Sequence, residues 1–384
     1  MDVNDAELIA SPYSSYQQWR DEQPIWWSDG DLKGWILSRY DDVRTVMKDA
    51  KTFSSQSMGE MEHQTVALPL LTDDPPRHTQ LRSIVNTAFT SRTLKILEVG
   101  IQELVMELLD AIGGKVSVDI SAEFTTPLPV SVIAHMMGIP PERKDDFKRW
   151  SDALTGVNEE RDKAERMQQV MEMAAYFKSL IPERRENPGT DLVSKVVHAE
   201  VDGQILADQD IAGFCMLLLI AGNETTTNVL SSLLDYLAHH PETWNELRSN
   251  PNKIDAAIEE ILRYDAPVQW VNRKATRDLE FHGQKIKAGD PIYVFMGSAN
   301  RDSRHYENAD QFRLDRGRSD HHSFGHGIHF CIGAPLGRLE ARYAMEALLK
   351  RYRSISHVED AKNERTHSTM LRGYHHLWLD LEPA

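Results

Sequence analysis

Apolar residues recur at three- and four-residue steps through Leu94, Leu97, Ile101, Leu104, Leu108 and Ile112, the spacing that lays one stripe along one face of an α-helix. Gly113-Gly114 follows and predicts the end of that helix, because glycine reaches the left-handed conformation of a C-terminal cap at little cost. Strand-like segments are few. Ile25-Trp26-Trp27 and Trp35-Ile36-Leu37 flank Asp29-Gly30, while Leu279 to Phe281 precedes His282-Gly283 and Ile292 to Phe295 lies beyond it. A small sheet of short strands is therefore expected beside many helices. Between Asp208 and His240 runs a helix candidate much longer than usual, whose apolar stretch IAGFCMLLLIA gives way to the polar cluster AGNETTT.

Neither a fixed repeat nor a Pro/Gly/Ser-rich linker divides the chain, so one domain over residues 1–384 is expected. With 384 residues and 41% hydrophobic content it can bury a large core. No stretch approaches the roughly 20 apolar residues of a membrane span, and the start MDVNDAELIASPYSSY has neither the basic nor the apolar region of a secretory signal. A cytoplasmic protein, expected to be a monomer, fits these features. The formal net charge of -16 argues against nucleic acid or an anionic membrane as partner. Two cysteines, Cys215 and Cys331, are too few for a disulfide framework.

The two cysteines have different surroundings. Cys215 sits in an apolar helical run and reads as core. Cys331 is surrounded by Gly325, Gly327 and Gly333 in SFGHGIHFCIGAPLGRLEARY, with a helix predicted just after it from Leu336, Leu339, Tyr343 and Ala347. Glycines let a backbone come close, and a helix N-terminus favours an anionic sulfur. A single thiolate suits an iron already held on four sides by a porphyrin, whereas zinc would need three or four protein ligands and no CxxC or HExxH supplies them.

The run Phe324-Gly325-His326-Gly327-Ile328-His329-Phe330-Cys331-Ile332-Gly333 resembles the haem-binding loop of the cytochrome P450 family. The resemblance implies Cys331 as the axial ligand of haem b, with Phe324, Gly325, His329 and Gly333 around it. It also implies a mainly α fold with a small β region: a triangular helical prism that holds haem between the long central helix and the cysteine-loop helix. Ala221-Gly222-Asn223-Glu224-Thr225-Thr226, in the middle of the longest predicted helix, resembles the family's oxygen-binding motif, here with Glu where many relatives have Asp. A threonine hydroxyl can bond back to an earlier carbonyl and loosen the turn where Gly222 leaves room. The chemistry needs protons delivered to dioxygen, and Thr225 beside Glu224 suits that task.

His78 and Arg82, four apart after Pro75-Pro76, point the same way along a helix. The resemblance assigns them, with Arg273 and His329, to the two haem propionates. Glu260 and Arg263 resemble the family's E-x-x-R pair, with Arg316 as a third, structural member. By position, Leu217, Leu218, Ile220 and Ala221, then Val268, Gln269 and Trp270, then Met370 and Leu371 are expected to line a pocket for a small, mostly apolar substrate, with Gln269 as its polar contact.

The resemblance runs over essentially the whole chain and implies a monooxygenase. No fused reductase domain is recognised, so NAD(P)H-derived electrons are expected through a separate ferredoxin or flavodoxin. Arg313, Arg318, Arg338 and Arg342 are candidates for a basic docking face. A peroxide-driven peroxygenase would share the cysteine loop but would not need Glu224-Thr225. A non-enzymatic haem sensor would want a signalling element.

Overall fold

A computed structural model describes residues 1–3, 5–56, 68–86, 89–155, 163–201, 203–317 and 319–384. The periodic segment forms the helix Ser91–Ile112, ended by Gly113 at φ 63°. Its fully buried stripe is Leu97, Ile101, Val105, Leu109 and Ile112, with Leu94, Leu104 and Leu108 on the flanks. The apolar band is thus wider than its most regular members suggest. The long helix Asp208–His239 is continuous over 32 residues and passes through the main core, where Leu219, Leu230, Leu233 and Leu237 are wholly buried. Cys215 lies in the same core, and burial pushes its thiol up to about 12, far from any reactive form.

The first hairpin forms as expected: Ile25–Ser28 pairs antiparallel with Gly34–Leu37. The second differs. Leu279–Phe281 pairs with Gln284–Ile286 across His282 and Gly283, both at positive φ. Ile292 belongs instead to the strand Pro291–Val294, which pairs parallel to Gly34–Leu37 and antiparallel to Val271–Ala275. Phe53–Ser54 completes this five-stranded sheet. The parallel pairing joins segments some 250 residues apart in sequence, and local alternation carries no information about it. A separate antiparallel sheet joins Tyr352–His357, Trp378–Pro383 and Ser117–Asp119. Among the described residues no helix is long and apolar enough to cross a membrane.

The helix Ile254–Tyr264 carries Glu260 and Arg263, and both are buried. Arg263 donates to the two oxygens of Glu260 at 2.7 and 3.0 Å, and to the carbonyls of Asn300, Ala309 and Gln311 at 3.0, 2.7 and 2.9 Å. Arg316 Nε reaches the same carboxylate at 3.0 and 3.1 Å, and the Arg313 backbone N–H adds a further bond at 2.9 Å. Every polar edge of a side chain at 0% exposure is thereby engaged. Removing one partner from such a pair costs about 3–5 kcal/mol because the other charge stays buried. Glu260→Ala should therefore lose haem or fail to fold when haem content per chain is measured, and a variant with full haem content would remove the network from that role.

Candidate haem and oxygen site

Gly325 and Gly327 adopt φ 71° and 68°, the left-handed region that favours glycine. A Cβ at Gly327 would also lie 2.8 Å from the Met47 carbonyl, so the loop lies against the helix Tyr40–Lys48. Gly333 is conformationally ordinary, and a Cβ there would lie 3.9 Å from Cys331 Sγ. Of the three glycines, two serve backbone shape; the third leaves the sulfur's flank open. The Cys331 N–H donates to the Phe324 carbonyl at 2.8 Å, closing the loop.

Past the cysteine the helix Ala334–Arg351 begins, as its sequence pattern predicts. The N–H groups of Gly333 and Ala334 point at the sulfur, and the Arg82 and Arg338 charges favour thiolate. Desolvation by the surrounding chain outweighs them and raises the thiol pKa overall, although the cysteine itself is exposed. The helix start alone therefore does not ionise this sulfur; coordination to a metal would complete the deprotonation.

His78, Arg82, Arg273 and His329 converge. The rings of His78 and His329 lie 4.2 Å apart, and Arg82 donates to the Phe330 carbonyl at 2.6 Å. Burial, then the charges of Arg273, His78 and Arg82, push His329 down to about 3. Burial likewise lowers Arg273 to about 10, with Asp74 opposing. His78 is 1% exposed, and neither of its ring nitrogens has a partner among the described residues. Four basic groups crowded together, with orphaned imidazole nitrogens, suit a dianionic ligand, and the two carboxylates of haem match that demand.

Sequence reasoning missed two supports of this cluster. Ser55 bonds His329 Nε2 at 2.9 Å, and Asp74 accepts from the Ser55 N–H at 3.0 Å. Asp74 stands in the DDPPRH motif and was within reach of it. Ser55 shows no local signal at all.

On the long helix Thr225 Oγ1 donates to the Ala221 carbonyl at 2.8 Å, the back-bond expected from its sequence. Ala221 is exposed although it lies in an otherwise buried stretch, and Thr225 and Glu224 are half-buried. The expected room beside Gly222 is taken by Ile133: a Cβ there would lie 2.4 Å from Ile133 Cδ1. This glycine serves helix packing. Gly337, in the first turn of the helix Ala334–Arg351, would place a Cβ 3.4 Å from Thr226 Oγ1. The helix that follows the sulfur therefore crosses the long helix at the threonine step.

Two pocket assignments need correction. Trp270 is 2% exposed and packs with Tyr16, Ile36 and Phe295. Gln269, also at 2%, gives its amide N–H to the Ala266 carbonyl at 2.6 Å, and its Oε1 presses on Gly297, where a Cβ would lie 2.2 Å away. Both belong to the core because the chain turns inward after Pro267, a direction that sequence spacing does not reveal. Leu217 and Leu218 are buried in the main core, whereas Ile220, Val268, Met370 and Leu371 are half-buried, with Val268 bridged to Leu371.

Three arginines of the expected docking face are each paired with a carboxylate. Arg313 pairs with Asp315 at 3.0 Å, Arg338 with Glu259 at 2.5 Å, and Arg342 with Glu346 at 2.9 Å. Arg318 lies outside the described residues.

A cysteine sulfur met by two backbone N–H groups, beside a partly buried basic cluster and a threonine-bearing long helix, has the features that a haem-thiolate centre requires. The sequence matches the Cytochrome P450 family model over residues 10–373. It is 40% identical over 350 residues to a protein named "Putative cytochrome P450 YjiB" from Bacillus subtilis, covering 89% of this chain and 87% of that one. It is 37% identical over 367 residues to the erythromycin C-12 hydroxylase of Saccharopolyspora erythraea, covering 93% and 91%. Among solved structures, CYP109E1 from Bacillus megaterium in complex with testosterone superposes with a TM-score of 0.89 at 36% identity, over 96% of this chain and 99% of that one. The chain belongs to the cytochrome P450 family of haem-containing monooxygenases.

Replacing the ligand tests the centre directly. The reduced protein with carbon monoxide should show the red-shifted Soret band of thiolate ligation, and Cys331→His should abolish it. A shifted band that survives the substitution would place the ligand elsewhere.

Proposed function

We propose that this chain hydroxylates a small, mostly apolar organic molecule with dioxygen, using electrons from a separate ferredoxin or flavodoxin, as a monomer in the cytoplasm. The observation that carries this reading is the crossing of the two helices, which sets the flank of Cys331 and the Thr225 hydroxyl on neighbouring elements. Haem b, when bound, supplies an iron centre at which dioxygen is activated.

The chain's own residues do the rest. Cys331 Sγ would hold the iron, and the N–H groups of Gly333 and Ala334 would moderate its charge. Arg82, Arg273, His78 and His329 would receive the propionates, the histidines donating through nitrogens that burial otherwise keeps neutral. The Thr225 hydroxyl proton is held on the Ala221 carbonyl; rotation about χ1 would free Oγ1 to donate elsewhere, and Glu224, one residue earlier, would be placed to replace that proton.

The substrate surface is more apolar than its sequence suggests, since Gln269 is spent inside the core. Ile220, Ala221, Val268, Met370 and Leu371 remain as candidates for it. Relatives that act on erythromycin or hold testosterone support a bulky, carbon-rich molecule of that kind.

Thr225→Ala should keep the haem spectrum while diverting reducing equivalents to peroxide. NAD(P)H consumed against hydroxylated product formed, with a surrogate ferredoxin system and a panel of steroids and macrolides, reads this out. Unchanged coupling would remove Thr225 from proton delivery. Product formation from peroxide at the same rate without any electron donor would favour the peroxygenase reading.

A further inference from the structure

Far from the cysteine loop, the last turn of the long helix meets the end of the strand Tyr352–His357. Asp235 and His239, one turn apart, face His357 there. His239 Nδ1 lies 3.0 Å from His357 Nε2, His357 Nε2 lies 3.3 Å from Asp235 Oδ1, and His239 Nδ1 lies 3.6 Å from that same oxygen. Three donor atoms around a tetrahedral ion with bonds of ~2.0–2.1 Å stand about 3.3 Å from one another. The triangle already has those edges.

The protons of this cluster conflict. Asn363 Oδ1 accepts the Trp378 N–H at 2.7 Å, so its Nδ2 faces His357 Nδ1 at 2.9 Å and that nitrogen must accept. The proton of a neutral His357 ring then sits on Nε2. If His239 Nδ1 is also protonated, two N–H groups meet at 3.0 Å. If it is bare, its lone pair faces the Asp235 carbonyl at 2.9 Å. Either arrangement leaves one like-against-like contact. A cation shared by the two nitrogens and Asp235 Oδ1 removes the meeting of the two N–H groups, since each nitrogen then turns a lone pair to the ion.

From this geometry we propose that Asp235, His239 and His357 form a surface site for a zinc-like divalent transition ion. Two imidazoles and one carboxylate select that class over magnesium or calcium, which prefer all-oxygen surroundings. The negative end of the 32-residue helix adds to the attraction. Arg365 stands 3.8 Å from Asp235 Oδ2 and works against it, while engaging the oxygen that the ion does not need. His239 is 60% exposed, so an ion enters from solvent and keeps water at its fourth position.

Binding pins the end of the helix to the strand. It also requires His357 Nδ1 to carry a proton, so the Asn363 amide must turn to accept it. Aspartate at 363 would accept from both His357 and Trp378 without turning.

The test titrates zinc chloride into the haem-loaded full chain against a competing fluorescent chelator. One site is expected, weakened at least tenfold in His239→Ala and in His357→Ala, with an unchanged haem spectrum in each. Asn363→Asp should tighten it about tenfold. The site is overturned if zinc binds equally to the wild type and to the variant carrying both alanines, or if Asn363→Asp binds no tighter than the wild type.

Discussion

Arg263 has no access to solvent, and a guanidinium in that position is tolerable only with an anion and a full set of acceptors around it. Glu260 supplies the anion, and carbonyls from two stretches of chain, at Asn300 and at Ala309 and Gln311, supply the remainder. The ion pair thereby fixes those stretches against the helix Ile254–Tyr264. One of its acceptors is the Asn300 carbonyl, and Asn300 passes the constraint on: its side chain accepts the His322 N–H at 2.6 Å and donates to Ser323 Oγ at 2.8 Å. Ser323 in turn bonds the Leu262 carbonyl at 2.5 Å. The cysteine loop starts at the next residue.

That chain of contacts explains how a loop rich in glycine holds Cys331 in place. Gly325 and Gly327 gain their shape at a cost in chain entropy, and the anchors on either side offset it. Upstream lies the Asn300–Ser323 joint; downstream, Arg338 stacks over the Phe324 ring at 4.3 Å and pairs with Glu259. Burial would push Glu259 up, but its bonds to Arg338 and His321 hold it at about 2, so the brace stays charged at neutral pH.

Much of this was legible in the chain itself. Leu97, Ile101 and Ile112 of the periodic stripe and its glycine stop depend on neighbours three or four residues away, and they appear as read; Leu104 and Leu108 fall on the flank because Val105 and Leu109 take the buried positions. The back-bond of Thr225, which is a property of one turn, also appears as read. Gln269 and Trp270 were misplaced because whether a residue after a helix faces a cavity or the core depends on where the chain turns next. Of the arginines after residue 312, Arg338 takes its acid, Glu259, from another helix, whereas Arg313 and Arg342 pair with Asp315 and Glu346 close by in sequence. Ile133 over Gly222 and Ser55 on His329 are likewise contacts between distant segments, and neither partner carries a local pattern.

Gly337 sets a tolerance as well as a contact. Where two helices touch through a hydrogen atom, a methyl group would already rest on Thr226 Oγ1 at 3.4 Å, and any longer side chain would act as a wedge. Rigid rods turn a wedge at their crossing into a larger displacement at their ends. One missing carbon thus acts as a spacer gauge, making the clearance between the sulfur-bearing and hydroxyl-bearing sides of the site a property of helix packing.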